Sequence, residues 1–203
     1  LTLSGGGSLV SGGLTLDNAS SKLVLNSITV DNVSTSSGSL GLDVDNNSTV
    51  TSLTVAHITP VAIASSKTLS GAITVTAGSI KLDETGTLAS TIAMSGGELD
   101  ADNSSTLSGT LTQGGNITID VADNKTLTYS GSAISLGANT LTLSGGGSLV
   151  SGGLTLDNAS SKLVLNSITV DNVSTSSNSL GLDVDNNSTV TSLTVAHITP
   201  VSI

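Results

Sequence analysis

Residues Leu1–Ile63 return almost letter for letter as Leu141–Ile203; only Gly38, which becomes Asn178, and Ala62, which becomes Ser202, differ. Leu1 maps onto Leu141, so one repeat unit (1–140) is followed by the start of the next (141–203). A fold that takes in the same stretch twice must offer it two equivalent environments. A structure that grows along an axis does this; a globule with a single centre does not. The expectation is one continuous repetitive segment over positions 1–203, an interior piece of a longer repeat protein.

The unit itself subdivides. Successive segments open at Ser8, Ile28, Ser48, Thr68, Thr87, Thr106 and Thr126, the clearest with Thr68-Leu69, Thr87-Leu88, Thr106-Leu107 and Thr126-Leu127. Within each segment short runs alternate, as in Leu14-Thr15-Leu16, Leu23-Val24-Leu25, Ile73-Thr74-Val75 and Ile80-Lys81-Leu82. Alternation puts aliphatic side chains on one face and polar ones on the other, the mark of a half-buried strand. No helical periodicity is sustained, so no helices are expected.

Strands this short cannot stand alone. If each segment forms a coil that sits on the next, every strand gains parallel partners about 4.8 Å above and below. Aliphatic ladders then run down the inside, such as Leu69, Leu88, Leu107, Leu127 and Leu149, or Ile73, Ile92 and Leu111. About ten coils at that rise make a rod of roughly 50 Å. The corners fall to Asp17-Asn18, Asp31-Asn32, Asp102-Asn103, Asp123-Asn124 and Asn46-Asn47, residues that tolerate left-handed backbone and bond to their own main chain. Ser4–Gly7 reads as a bulge or small outward loop. The fold class is all-β: a parallel β-helix, or β-solenoid, with about 20 residues and three short strands per coil. A coil length that varies fits right-handed winding, since left-handed forms keep a stricter six-residue count.

Composition narrows the function. The chain has no Phe, Trp or Cys and a single Tyr, so the core must be stacked Leu, Ile and Val rather than aromatic bulk. Fifteen acids against five basic residues give a net charge of −10, the wrong sign for neutralising phosphates, so no nucleic-acid partner is expected. Absence of cysteine is compatible with export. No apolar run is long enough to span a membrane, so no membrane insertion of this segment is expected.

With LTL, ITV and TLS runs and DNxS corners over its whole length, the chain resembles the repetitive shafts of large bacterial β-solenoid adhesins, the filamentous-haemagglutinin-like and autotransporter-passenger proteins. The resemblance implies an extracellular, cell-surface role as a stalk or filament that displays or joins adhesive parts. Its partners would be further copies of the repeat in the same chain, with end-to-end or lateral self-association as the alternative.

Candidate chemistry is sparse. Asp43, Asp45 and Asn47 match the opening Asp-x-Asp-x-Asn of many calcium loops, without the following Gly or the bidentate Glu. With Leu42 and Val44 inward, the two carboxylates are neighbours on the outer face, either a calcium site or a solvated acidic strand. The copy at Asp183–Asn187 follows the same logic. Glu98, Asp100 and Asp102 also alternate outward, with Asp120, Lys81 and Asp83 expected beside them. Paired carboxylates can cleave glycosides, but the chain has no arginine and almost no aromatic residue with which to hold a sugar. We therefore expect no enzymatic activity.

His57 has no second His or Cys in its unit to complete a zinc set and reads as a corner residue. No G-x-S-x-G elbow is convincing. Gly5-Gly6-Gly7 is followed by Ser-Leu rather than by the Lys of a phosphate loop. Thr49/Thr51, Thr74/Thr76, Thr110/Thr112 and Thr126/Thr128 have the spacing of an ice-binding ladder. Ser70, Ala89 and Val150 interrupt it, and β-propensity accounts for exposed threonine. Asn18, Asn32, Asn47, Asn103, Asn116 and Asn124 begin glycosylation sequons that corner chemistry alone would also produce.

Overall fold

The computed structural model describes all 203 residues; it contains 25 strands and no helix. The strands form two parallel sheets, one of 11 strands and one of 14. The first sheet takes one strand from every turn of the chain, in chain order. They are Thr2–Ser4, Lys22–Asn26, Gly41–Val44, Thr59–Ile63, Ser79–Leu82, Glu98–Ala101, Ile117–Val121, Thr140–Ser144, Lys162–Asn166, Gly181–Val184 and Val201–Ser202. Eleven strands in this order bracket ten windings, which we number coils 1 to 10 by the strand that opens each. Leu3 faces Leu25, Leu25 faces Val44 and Val44 faces Ile63, so residues one winding apart in the chain lie side by side. This is a parallel β-solenoid.

The second sheet refines the expectation of three short strands. Coils 1, 6, 7 and 8 do contribute two short strands each to it, for example Ser105–Leu107 and Leu111–Gln113. Coils 2 to 5, 9 and 10 instead contribute one continuous strand of seven or eight residues, such as Ser48–Val55, Thr68–Val75 and Thr87–Met94. The corner there is made inside the strand. Between coils 3 and 4, Val50 faces Gly71 and Ser52 faces Ala72, so Thr51 is squeezed out of register and the strand bends without leaving the sheet. Asp31-Asn32 occupies the same kind of bend inside Thr29–Thr35 rather than a turn between strands. The other Asp-Asn and Asn-Asn pairs do lie in turns, and Asn124 takes the left-handed backbone (φ 60°) expected of such corners. Gly5 and Gly6 have positive φ in the exposed bend after the first strand.

The inside is a single cluster of 42 buried apolar residues. All but Ala101, Met94 and Tyr129 are Leu, Ile or Val, as the lack of aromatics requires. The ladder Ile73, Ile92, Leu111 runs as expected. The leucine ladder does not run through. Leu69, Leu88 and Leu107 are in register, but Leu107 faces Tyr129, while Leu127 faces Ser105 and Leu149. The slip is two residues, so inward side chains stay inward. Leu127 and Tyr129 are both buried.

The two copies of the repeat test what a neighbour coil does. Leu53 and Val55 are buried beneath coil 4 and Val61 beneath coil 5, whereas their copies Leu193, Val195 and Val201, at the end of the stack, are 42%, 52% and 50% exposed. At the other end Leu1 is 68% exposed while its copy Leu141 is fully buried. Burial belongs to the stack, not to the local sequence.

The difference at Gly38 has a direct structural consequence. Asn178 Oδ1 accepts a hydrogen bond from the Ile198 N–H of the next coil at 3.2 Å. Gly38, its counterpart, has open space around it and no positive φ. Gly38→Asn should therefore add one bond between coils and remove chain entropy from the unfolded state, raising stability by about 0.5–1 kcal/mol. Urea unfolding would show this as a higher midpoint at unchanged slope.

Candidate functional site

The densest charged cluster lies on the outer face of the first sheet at coils 5 to 7. Register places Lys81 beside Asp100, and Asp100 beside Asp120, with Leu99 and Ala101 buried beneath them as expected. Lys81 Nζ donates to Asp100 at 3.0 Å and bridges Asp102 at 2.5 Å. Ser144 Oγ donates to Asp120 at 2.5 Å. Glu98 stands one step along the strand, beside Thr118.

Burial, more than neighbouring charge, sets the titration here. Loss of solvent pushes Asp83, Glu98 and Asp100 above the usual carboxylate range, and at Asp100 the hydrogen bond from Lys81 opposes this without overcoming it. Lys81 is held strongly protonated by its bonds to Asp102 and Asp100. Acids raised in the folded state keep protons that the unfolded chain has released, so they favour folding as pH falls. Asp183, held low by Lys162, acts in the opposite sense, and only below the ordinary carboxylate range. Thermal melts should therefore show a higher Tm at about pH 5 than at about pH 7; a lower one would contradict the burial of these groups.

The Asp43–Asn47 stretch has the facing that alternation demands, with Leu42 and Val44 buried and Asp43 and Asp45 outward. Two of its three candidate donors are engaged. Lys22 of the preceding coil bridges Asp43 at 2.5 Å, and the Asn47 Oδ1 accepts the Thr68 N–H at 2.9 Å. The pair recurs in the second copy as Lys162 and Asp183 at 2.8 Å. No three acids or histidines anywhere come together as a metal cluster. Calcium at Asp43, Asp45 and Asn47 would have to displace a lysine and an amide. Calorimetric titration should accordingly give a Kd no tighter than about millimolar, and micromolar binding would show that the site reorganises.

Other candidates resolve into corner chemistry. His57 is exposed in the turn before Thr59–Ile63, where Thr59 Oγ1 donates to its carbonyl at 3.0 Å. Four of the six sequon asparagines use their side chains on backbone groups, Asn18 within its own turn and the other three on a neighbouring coil. The Oδ1 atoms of Asn18, Asn47 and Asn116 accept backbone N–H groups, and Asn103 Nδ2 donates to the Asp83 carbonyl.

Threonines behave differently on different faces. On the first half of the second sheet Thr49 pairs with Ser70, and Ser70 with Ala89, a mixed row as expected. On its second half Thr15, Ser34, Thr54, Thr74, Ala93 and Thr112 stand in one outward file. Ser135, Thr155, Ser174 and Thr194 form a second such file. Sequence alone does not reveal the files, because they depend on the length of every coil between. In each file one adjacent pair of hydroxyls is bonded, Thr15 with Ser34 at 3.2 Å and Thr155 with Ser174 at 3.3 Å.

Fold and surface together define the class of protein: a parallel β-solenoid with a neutral to acidic exterior, on which Asp43, Asn47, Asp100 and Asp120 are tied to neighbouring coils. No helix is long and apolar enough to cross a membrane. Compared with known protein families, curated proteins and solved structures, the chain matches none.

Proposed function

We propose that the chain is a structural rod: a segment of the shaft of a large extracellular bacterial repeat protein that extends or displays adhesive parts at the cell surface. One observation carries the reading. The second copy of the repeat takes up the same registers as the first, with Lys22 facing Gly41 and Lys162 facing Gly181, and Leu14 facing Val33 and Leu154 facing Val173. A unit that restacks on itself can be added without redesigning the core, since each coil contacts only its neighbours. The resemblance to β-solenoid adhesin shafts supports an extracellular setting, and the cysteine-free composition is compatible with it. Antibodies raised against this segment should label intact, unpermeabilised cells that make the protein. Labelling only after permeabilisation would overturn the proposed location.

A second reading has its own support. Aliphatic side chains of the last coil, Val195 and Val201 among them, are exposed where their copies are buried, and open strand edges are templates for pairing with another chain. Electron microscopy of the isolated segment separates the two. Short rods of uniform length fit the covalent shaft; fibres of indefinite length fit end-to-end assembly.

A further inference from the structure

Each joint between neighbouring coils has three rows of backbone pairing, one in the first sheet and two in the second. Every row is paired throughout the stack, with one exception. Between coils 6 and 7 the first sheet pairs (Leu99 with Ile119) and the first half of the second pairs (Leu107 with Tyr129). The third row does not. Leu111–Gln113 pairs only backward, to Thr87–Met94, and Ile134–Ser135 only forward, to Leu154–Leu156. Their Cα atoms approach within 8 Å. An intervening strand would hold them about 9.5 Å apart, so no strand is missing.

The sequence shows how the row comes to be broken. After the Asp123-Asn124 turn, strand Thr126–Tyr129 docks two residues out of step. Ser130–Ala133 then makes a detour before the chain rejoins the stack at Ile134. The step of the first-sheet ladder that contains this detour, from Ile119 to Leu143, is also the longest in the stack. Side chains stand in for the absent ladder. The Tyr129 hydroxyl accepts the Leu111 N–H at 3.1 Å, Gln113 Nε2 donates to the Thr140 carbonyl at 2.8 Å, and Asn139 Nδ2 reaches the Gln113 carbonyl at 3.5 Å. The substitution is incomplete, because Gln113 Oε1 is buried with no partner. A cleft of about 270 Å³ opens at the same place, lined by Leu111, Gln113, Ser132 and Ser135 among others.

We propose that this row is a built-in weak joint: the interior seam that opens first, with the two paired rows beside it acting as a hinge. The rod then bends by opening on one defined side, toward the cleft, rather than equally in all directions. In an array of such units the joint would recur once in every copy of the repeat.

Hydrogen exchange of the whole 203-residue chain, followed by mass spectrometry, tests this directly. Peptides spanning positions 108–116 and 130–136 should exchange at least about tenfold faster than those spanning 68–75 and 87–94, although all four lie well inside the stack. Tyr129→Phe keeps the ring but removes the acceptor of the Leu111 N–H. It should speed exchange a further several-fold at 108–116 and leave 68–75 and 87–94 unchanged. Seam peptides as slow as those of coils 4 and 5 would overturn the proposal. So would a Tyr129→Phe effect spread evenly over all interior coils, since the seam would then not open independently.

Discussion

Leu53→Ala should lower stability by about 3–4 kcal/mol, and Leu193→Ala, the same substitution in the same local sequence, by less than about 1 kcal/mol. Ser48–Val55 and Ser188–Val195 are identical in sequence. Leu53 is fully buried between Val33 and Ile73, whereas Leu193 faces only Val173 and is 42% exposed. Alanine at position 53 leaves a cavity that ladder neighbours above and below cannot fill, because both are fixed by backbone pairing. At position 193 little apolar contact exists to be lost. Urea titrations of the two variants would measure the difference, and equal losses would mean that burial does not come from the coil above.

The second large effect is expected at a corner. Gly71→Ala should cost about 2–4 kcal/mol. Gly71 sits at φ 129°, opposite the bulge at Thr51, and a β-carbon there would lie 1.6 Å from the Val50 carbonyl oxygen. Relief would require coils 3 and 4 to part or the bulge to re-register, and either breaks ladder bonds on both sides. Gly38→Ala is the control: with no positive φ and no atom within 4 Å of the added carbon, it should stay within about 0.5 kcal/mol of the parent. Matching losses at the two glycines would show that the coil spacing at Gly71 does not explain the result.

Much of the architecture could be read from the residues. The recurring Thr-Leu openings and the alternation at Leu23-Val24-Leu25 or Ile80-Lys81-Leu82 require stacked strands, and the absence of bulky side chains requires an aliphatic core. The facing of Asp43 and Asp45, and of Glu98, Asp100 and Asp102, followed from the same period of two. What could not be read was anything that depends on the number of residues in a corner. The two-residue slip at Tyr129 is invisible to alternation, because it keeps every inward residue inward. The merging of two strands into one, as in Ser48–Val55, takes place at a bulge at Thr51 that no local motif announces. The outward hydroxyl file from Thr15 to Thr112 appears only when every intervening coil length is known. At the candidate calcium stretch the sequence shows three potential donors. That Lys22 and the Thr68 amide already occupy two of them is a fact of the neighbouring coils, one winding away on either side.

The stacked solenoid is tested most directly by distances along its axis. Spin labels at Thr15 paired in turn with Thr74, Thr112, Thr155 and Thr194 lie three, five, seven and nine coils apart in the outward rows. At about 4.8 Å per coil, electron–electron dipolar measurements should give backbone separations near 14, 24, 34 and 43 Å, rising linearly with coil number. Separations that do not rise linearly with coil number, or that do not follow the order of the coils, would contradict it.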